Sequence, residues 1–307
     1  MNSALPVKPI GEKLAIVARD IKLSHTVFAM PFALLATFLA AHHKDRLPSV
    51  GEFGLIVLCM FLARTVAMTT NRLADAEYDA SNPRTAKRAI PSGELDKRFV
   101  RWVAVICALG FILACGGFWL IQKNIWPIIL SPIVLAFLIG YSYTKRFTWL
   151  CHLYLGIALA LSPVAASIAI EPTFLSTFIP WLLSIMVACW VAGFDVIYAL
   201  QDVQHDRGLG LYSMPATLGE EKSLWISRGL HVISGVSLFA LVAISPVLGW
   251  LFLGAVCMTI GLLVVEHILV WRSGTHHIHI AFLTLNGMIS LLLGAAGIAE
   301  VLLAFYT

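Results

Sequence analysis

Apolar residues in this chain run in long, nearly unbroken blocks separated by short polar segments. The blocks lie at roughly 24–41, 51–70, 99–120, 126–143, 150–170, 176–200, 224–244, 246–270 and 279–305. A stretch of about 20 apolar residues spans a bilayer as a helix, because a helix satisfies its own backbone hydrogen bonds where no water can. The pattern predicts an all-α, multi-pass integral membrane protein with about nine transmembrane helices. Ser245-Pro246 leaves only a tight junction between the seventh and eighth blocks, which predicts a short hairpin there. No long soluble segment remains, so one transmembrane domain over residues 1–307 is expected. Lys8, Lys13, Arg19 and Lys22 precede the first block, which continues past Pro31 without a small-residue cleavage pattern. That block is therefore expected to stay in the protein as a span and not to be removed as a signal peptide.

Composition agrees with the pattern. Of 307 residues, 59% are apolar and 12% charged, whereas a soluble domain carries about 25% charged residues. Cys59, Cys107, Cys115, Cys151, Cys189 and Cys257 all fall in apolar blocks without a C-x-x-C spacing, and read as small buried apolar residues. The net charge is +4, but its distribution says more. With the N-terminus in the cytoplasm, nine spans place residues 1–22, 71–98, 143–149, 201–223 and 271–278 on the cytoplasmic side. All of the 21 Lys and Arg except Lys44, Arg46, Lys123 and Arg64 then belong to that side. This asymmetry predicts a cytoplasmic N-terminus. It explains the basic excess as an orientation signal, so no nucleic-acid partner is expected, and no obligatory protein partner is implied.

Two of the cytoplasmic segments carry candidate chemistry. In the first, Asn71, Asp75 and Asp79 are four residues apart and stack on one face of a helix. In the second, Asp195, Tyr198, Asp202 and Asp206 share a face as well. Carboxylates stacked at a membrane boundary repel one another and are costly to leave unpaired. No Lys or Arg is interleaved on these faces, so a hard divalent cation fits better, and magnesium commonly bridges carboxylates to substrate phosphates. One such motif alone reads as a solvated helix end; two on the same membrane side do not. Basic residues stand nearby: Arg84, Lys87 and Arg88 after the first motif, and Lys145 and Arg146 after Tyr141-Ser-Tyr143-Thr. Arg and Lys bind phosphate oxygens. Acids for metal beside bases for phosphate form the layout for a diphosphate ester. For these bases the alternative reading is the orientation signal alone, and it is the one adopted for Lys97 and Arg101.

These residues resemble the UbiA-type intramembrane prenyltransferases. The resemblance rests on Asn71-x-x-x-Asp75-x-x-x-Asp79, Arg84-Thr85-Ala86-x-Arg88-x-x-Pro91-x-Gly93, Tyr141-x-x-x-Lys145-Arg146 and Asp195-x-x-Tyr198-Ala199-x-x-Asp202-x-x-x-Asp206, in that order over roughly residues 20–220. It implies nine helices around a central cavity, capped on the cytoplasmic side by segments 71–98 and 201–223. It implies Mg2+ and a polyprenyl diphosphate held by Asn71, Asp75, Asp79, Asp202 and Asp206, phosphate contacts from Lys145 and Arg146, and Tyr141, Tyr198 and Asp195 near the reacting carbon or the acceptor. The chain departs at Arg72, where many relatives carry Asp. That removes a metal-side carboxylate and adds a cation beside the diphosphate. The run from Asn71 to Ala86 is similar to a bacterial subgroup tied to quinone synthesis, in part to the futalosine route to menaquinone. This raises a dihydroxynaphthoate beside 4-hydroxybenzoate as acceptor.

The expected reaction is an electrophilic aromatic substitution at the mouth of a cavity in the bacterial inner membrane. The acceptor is expected to carry a carboxylate, for which His25 and Arg64 are candidates because polar groups in spans are costly. Other acceptors of the same family, protohaem or a chlorophyll-type ring, share the aspartate motifs. A rival class, an ion-coupled transporter, would place its acids near the bilayer midplane, not at one surface. Weaker signals are His276, His277 and His279, a turn that reads as a solvated loop before it reads as a metal site. Glu266 and His267 are adjacent and on different helix faces, and Gly208, Gly210 and Gly219 lack the strand that a nucleotide-binding loop needs.

Overall fold

The computed structural model describes residues 8–22, 28–274, 278 and 280–305, and every regular element among them is helical. The helices are α1 (Ile10–Asp20), α2 (Met30–His42), α3 (Val50–Ala74), α4 (Ala76–Ser81), α5 (Lys97–Gln122), α6 (Trp126–Thr144), α7 (Cys151–Ile170), α8 (Ile179–Ala199), α9 (Val203–Gly208), α10 (Met214–Leu218), α11 (Glu220–Ile244), α12 (Trp250–Ser273) and α13 (Asn286–Leu303). Eight helical segments are long and apolar enough to cross a membrane: α3, α5, α6, α7, 179–208 (α8 through α9), α11, α12 and 283–303. The first sequence block, 24–41, corresponds to α2, a shorter apolar helix of 13 residues. The hairpin between α11 and α12 turns on Ser245, whose hydroxyl accepts the N–H groups of Val247 and Leu248.

Tryptophans mark both ends of the apolar slab. Trp102, Trp225 and Trp271 are exposed at one end, and Trp119, Trp126, Trp181 and Trp250 at the other. Their amphipathic rings suit the two membrane–water interfaces, and the protein is an integral membrane protein.

The centre is held by close helix crossings and by polar groups that satisfy one another. A Cβ on Gly156 of α7 would lie 2.2 Å from the Ala188 carbonyl oxygen of α8, and one on Gly294 of α13 would lie 2.4 Å from Pro31 Cβ of α2. Without a water-driven hydrophobic effect between spans, such small-residue crossings supply the packing. Trp190 of α8 is buried against Phe28, Phe32 and Phe194. Its indole N–H donates to Asn286 Oδ1 at 2.7 Å, and Asn286 Nδ2 donates to Glu266 Oε1 at 2.7 Å. Neighbouring His267 faces the other way, 2.9 Å from His231 of α11, so the two adjacent residues do serve different faces. The cysteines form no disulfide. Cys115, Cys151 and Cys189 are buried and Cys59 and Cys107 half-buried, but Cys257 is exposed on its helix, contrary to the expectation for that residue.

One end of the bundle carries a cap. The N-terminal helix α1 and segment 71–98, in which α4 is followed by turns over 82–96, share a small core. Ile16, Val17 and Ile21 bury against Ala76, Ala89, Ile90, Leu95 and the start of α5. Arg19 grips both Glu94 oxygens at 2.7 Å, and Asp20 Oδ1 accepts the Ala89 N–H at 3.0 Å. Asp20 also faces Arg72 at 3.4 Å.

Candidate active site

Under the cap lies a polar cavity of about 310 Å³. The first aspartate motif enters it where α3 ends. The motif is not one straight helix: Asp75 leaves helical geometry at φ −92°, ψ 3°, and α4 begins after it. The Asp75 N–H still reaches the Asn71 carbonyl at 2.9 Å, and the Asp79 N–H reaches the Asp75 carbonyl at 2.8 Å. The stack of side chains therefore survives a bend. Arg146 fixes the bend by donating to the Ala74 carbonyl at 2.6 Å while its guanidinium stacks on Tyr78 and Tyr143.

The second motif bends as well. After α8 a single 3-10 turn, Leu200–Asp202, precedes α9. Bends in both motifs let four-residue spacings from separate spans face one cavity, which Asn71, Asp75, Asp79, Asp195, Tyr198, Asp202 and Asp206 all line.

Each of three aspartates is met by a cation. Lys145 Nζ lies 2.9 Å from Asp75 Oδ2, which also accepts from Asn71 Nδ2 at 3.1 Å. Arg88 places one nitrogen 2.7 Å from both Asp79 oxygens. Arg84 forms a fork to Asp202, with Nε at 3.0 Å from Oδ1, and donates to the Tyr198 hydroxyl at 3.0 Å. Asn82 Nδ2 donates to Asp202 Oδ1 at 2.9 Å. Segment 82–88 thus ties the two motifs together. Burial disfavours the charge of Arg84, but the Asp202 hydrogen bond and charge outweigh it and hold the guanidinium above its ordinary value. Lys22 shows the opposite: burial first, then the facing guanidiniums of Arg88, Arg72 and Arg84, push its ammonium below the usual value. Lys22 and these three guanidiniums line the same cavity, where an anion would relieve their mutual repulsion.

Among the described residues no three acidic, His or Cys side chains converge tightly enough to enclose an ion. The donor set nevertheless suits magnesium. Asp75 is 3% exposed and its Oδ1 has no hydrogen-bond partner. A buried carboxylate oxygen left bare is costly, and carboxylate and amide oxygens are the ligands that this hard cation takes.

The other candidates separate by position. Arg72 lines the cavity and donates to Asn71 Oδ1 at 3.0 Å. Tyr141 and Arg64 line it at its deep end, and Arg64 donates to the Lys22 carbonyl at 3.2 Å while its Nε is buried without a partner. Lys87 is exposed and Arg146 serves the Asp75 bend; neither lines the cavity, so the structure does not bring these two to the candidate phosphate site. His25, and His276, His277 and His279, lie outside the described residues.

Among the lining residues that escaped the sequence reading are Lys22, Asn82, His152 and His205. Lys22 was indistinguishable from an orientation signal. His152 carried a usable signal, as an ionisable residue at the start of an apolar block.

A second, apolar cavity of about 330 Å³ lies deeper, between α3, α5, α6 and α7. Arg64, Met68, Tyr141, Leu155 and Leu159 line both spaces. The two therefore adjoin, acidic and cationic at the cap and greasy below, with Arg64 and Tyr141 on the boundary they share.

The chain is similar to known proteins in sequence and fold. Residues 29–299 match the model of the UbiA prenyltransferase family. A relative from Francisella tularensis subsp. mediasiatica, 4-hydroxybenzoate octaprenyltransferase, is 28% identical over 194 residues. That match covers 61% of this chain and spans 63% of the relative's length. The apo structure of a UbiA homolog from Aeropyrum pernix K1 superposes with a TM-score of 0.80 at 29% identity, over 90% of this chain and 98% of that one. A UbiA homolog from Archaeoglobus fulgidus bound to DMAPP and Mg2+ has the same fold, with a TM-score of 0.72 at 15% identity over 93% of this chain and 98% of that one. With nearly its whole length matching the family model, the chain belongs to the UbiA prenyltransferase family.

Proposed function

We propose that this protein transfers a polyprenyl group from polyprenyl diphosphate to a hydroxylated aromatic carboxylate, 4-hydroxybenzoate or a dihydroxynaphthoate, in the synthesis of ubiquinone or menaquinone. The observation that carries the reading is a charged cavity under the cap set directly against an apolar one, with Arg64 and Tyr141 on their shared boundary. A diphosphate bearing a long isoprenoid needs both environments at once. The name of the Francisella relative supports the donor and acceptor, and the Archaeoglobus homolog supports a prenyl diphosphate with magnesium.

Asn71, Asp75, Asp79, Asp202 and Asp206 are the residues that would hold Mg2+. When bound, it supplies positive charge that neutralises the diphosphate leaving group. The chain's own cations do the rest at that end. Lys145, Arg84 and Arg88, now paired with aspartates, exchange those carboxylates for phosphate oxygens, and Arg72 and Lys22 add charge to the same pocket. Deeper in, Tyr198 and Tyr141 offer ring faces to an allylic carbon that gains positive character. The apolar walls below exclude water that would intercept it. Arg64 stands on the boundary of the two cavities with an unpartnered nitrogen and is suited to an acceptor carboxylate. By the basic-residue asymmetry, the cap lies on the cytoplasmic side of a bacterial inner membrane.

The test is mass spectrometry of products from purified protein given magnesium, mixed polyprenyl diphosphates and either acceptor. Diphosphate release without a ring–prenyl adduct would sink the reading. Arg64→Gln is expected to raise the acceptor KM by about 10- to 100-fold, the worth of one hydrogen bond to a charged group. The KM for the prenyl diphosphate should stay within about twofold. An equal rise in both constants would remove Arg64 from the acceptor site.

A further inference from the structure

Asp195 lines the cavity but differs from three of the other motif aspartates. Asp75, Asp79 and Asp202 each face a Lys or Arg. Asp195 instead faces a histidine: His152 Nδ1, on the first turn of α7, lies 2.7 Å from Asp195 Oδ2. The other ring nitrogen, Nε2, lies 3.2 Å from the backbone N–H of Met214. A backbone N–H can only donate, so Nε2 must present its lone pair. The ring proton is therefore on Nδ1 and points at Asp195, and a doubly protonated ring would set two N–H groups against each other. His152 is 6% exposed, so water does not compete with these two hydrogen bonds, which set the tautomer. The effect is to orient Asp195 without neutralising it.

Position matters as much as chemistry. Asp195 precedes Asp202 by seven residues, which puts it about 10 Å further along the helix axis, away from the layer of phosphate-binding cations. Its side chain keeps 21% exposure, so the carboxylate that His152 holds still faces the space open to an acceptor ring. Met214 opens α10 in the segment that follows the second aspartate motif. That segment therefore supplies the backbone N–H that fixes the His152 ring.

We propose that His152 is a positioning residue for proton removal, fixing Asp195 as the carboxylate that accepts the proton of the prenylated ring carbon. This assignment rests on the prenyl-transfer reading. In the full step the donor's C–O bond breaks, with its electron pair leaving on diphosphate. A pair from the ring forms the new C–C bond. The C–H bond at that carbon then breaks, its pair restores the aromatic ring, and the proton passes to Asp195.

The experiment compares wild type, His152→Phe, His152→Asn and Asp195→Asn, with acceptor deuterated at the reacting carbon. His152→Phe should lower kcat about 10- to 100-fold, part of the 10²–10⁴ that general base catalysis supplies. The prenyl diphosphate KM should stay within about twofold. The deuterium isotope effect on kcat should rise from near 1 to above about 2 as proton loss becomes limiting. His152→Asn returns a donor to Asp195 and should recover most of the rate and lower the isotope effect. Wild-type kcat in His152→Phe, or a loss with no isotope effect and no recovery in His152→Asn, overturns the proposal. If His152→Phe does not fold, Asp195→Asn decides: wild-type kcat, or slow turnover without an isotope effect, overturns it. Wild type that forms no ring adduct overturns the prenyl-transfer reading and this proposal with it. Adduct formed normally by every variant overturns this proposal alone.

Discussion

Asp75→Asn is expected to lower product formation by on the order of 10²- to 10³-fold or more, the scale on which one preorganised electrostatic group acts on developing charge. The substitution keeps shape and removes one unit of charge from a side chain that is 3% exposed. It leaves Lys145, 2.9 Å away, without its carboxylate and puts either an amide N–H or a weaker oxygen where the partnerless Oδ1 now points. Asp202→Asn should match it in kcat but differ in binding. It weakens the Arg84 fork and frees that guanidinium for phosphate, which offsets the lost metal ligand, so the prenyl diphosphate KM should change little while kcat collapses. Both variants should elute as folded protein in detergent, because Asn fills the space of the carboxylate and the cations left behind, Lys145 and Arg84, keep access to solvent. Diphosphate release and product formation across a magnesium titration check this. Near-normal rates for both variants at low magnesium would remove the aspartates from the metal role.

The spans were legible because a bilayer forces every backbone group to pair within its own helix, and long apolar blocks are the only sequences that allow it. Thus 126–143 became Trp126–Thr144 and 150–170 became Cys151–Ile170. The cap was not legible as structure. Ile16, Val17 and Ile21 look like scattered apolar residues until Ala89, Ile90 and Leu95 arrive from a distant segment to cover them. Spacing of four placed Asn71, Asp75 and Asp79 correctly, yet it is the same for a straight helix and a bent one, so the break at Asp75 left no trace. Basic residues were the least readable. Lys22, Lys87, Arg84 and Arg146 look alike in a sequence, and only the tertiary path sends Lys22 and Arg84 into the cavity, Lys87 outward and Arg146 to the Ala74 carbonyl.

Gly156→Ala is expected to damage both stability and turnover, although a helical Gly→Ala change ordinarily stabilises by about 0.5–1 kcal/mol. The added Cβ would sit 2.2 Å from the Ala188 carbonyl oxygen and 3.1 Å from Ala192 Cβ. The obstacle is backbone, so no rotamer change relieves it, and α7 and α8 must part by about 1 Å to restore ordinary contact. Such overpacking costs about 1–3 kcal/mol, enough to outweigh the helix preference. The same movement acts on chemistry. Gly156 lies one turn beyond His152 on α7, and Ala188 and Ala192 precede Asp195 on α8, so separating the helices stretches the 2.7 Å bond between His152 and Asp195. A misplacement of about 1 Å can cost 10²-fold in rate. Gly261, in the middle of α12, is the control, because a Cβ added there would meet nothing within 4 Å. Gly261→Ala should leave turnover intact and hold or raise the melting temperature. Melting in detergent and product formation for the two variants separate the causes. If Gly156→Ala melts no lower than Gly261→Ala, the α7–α8 crossing is not what sets the geometry of the site.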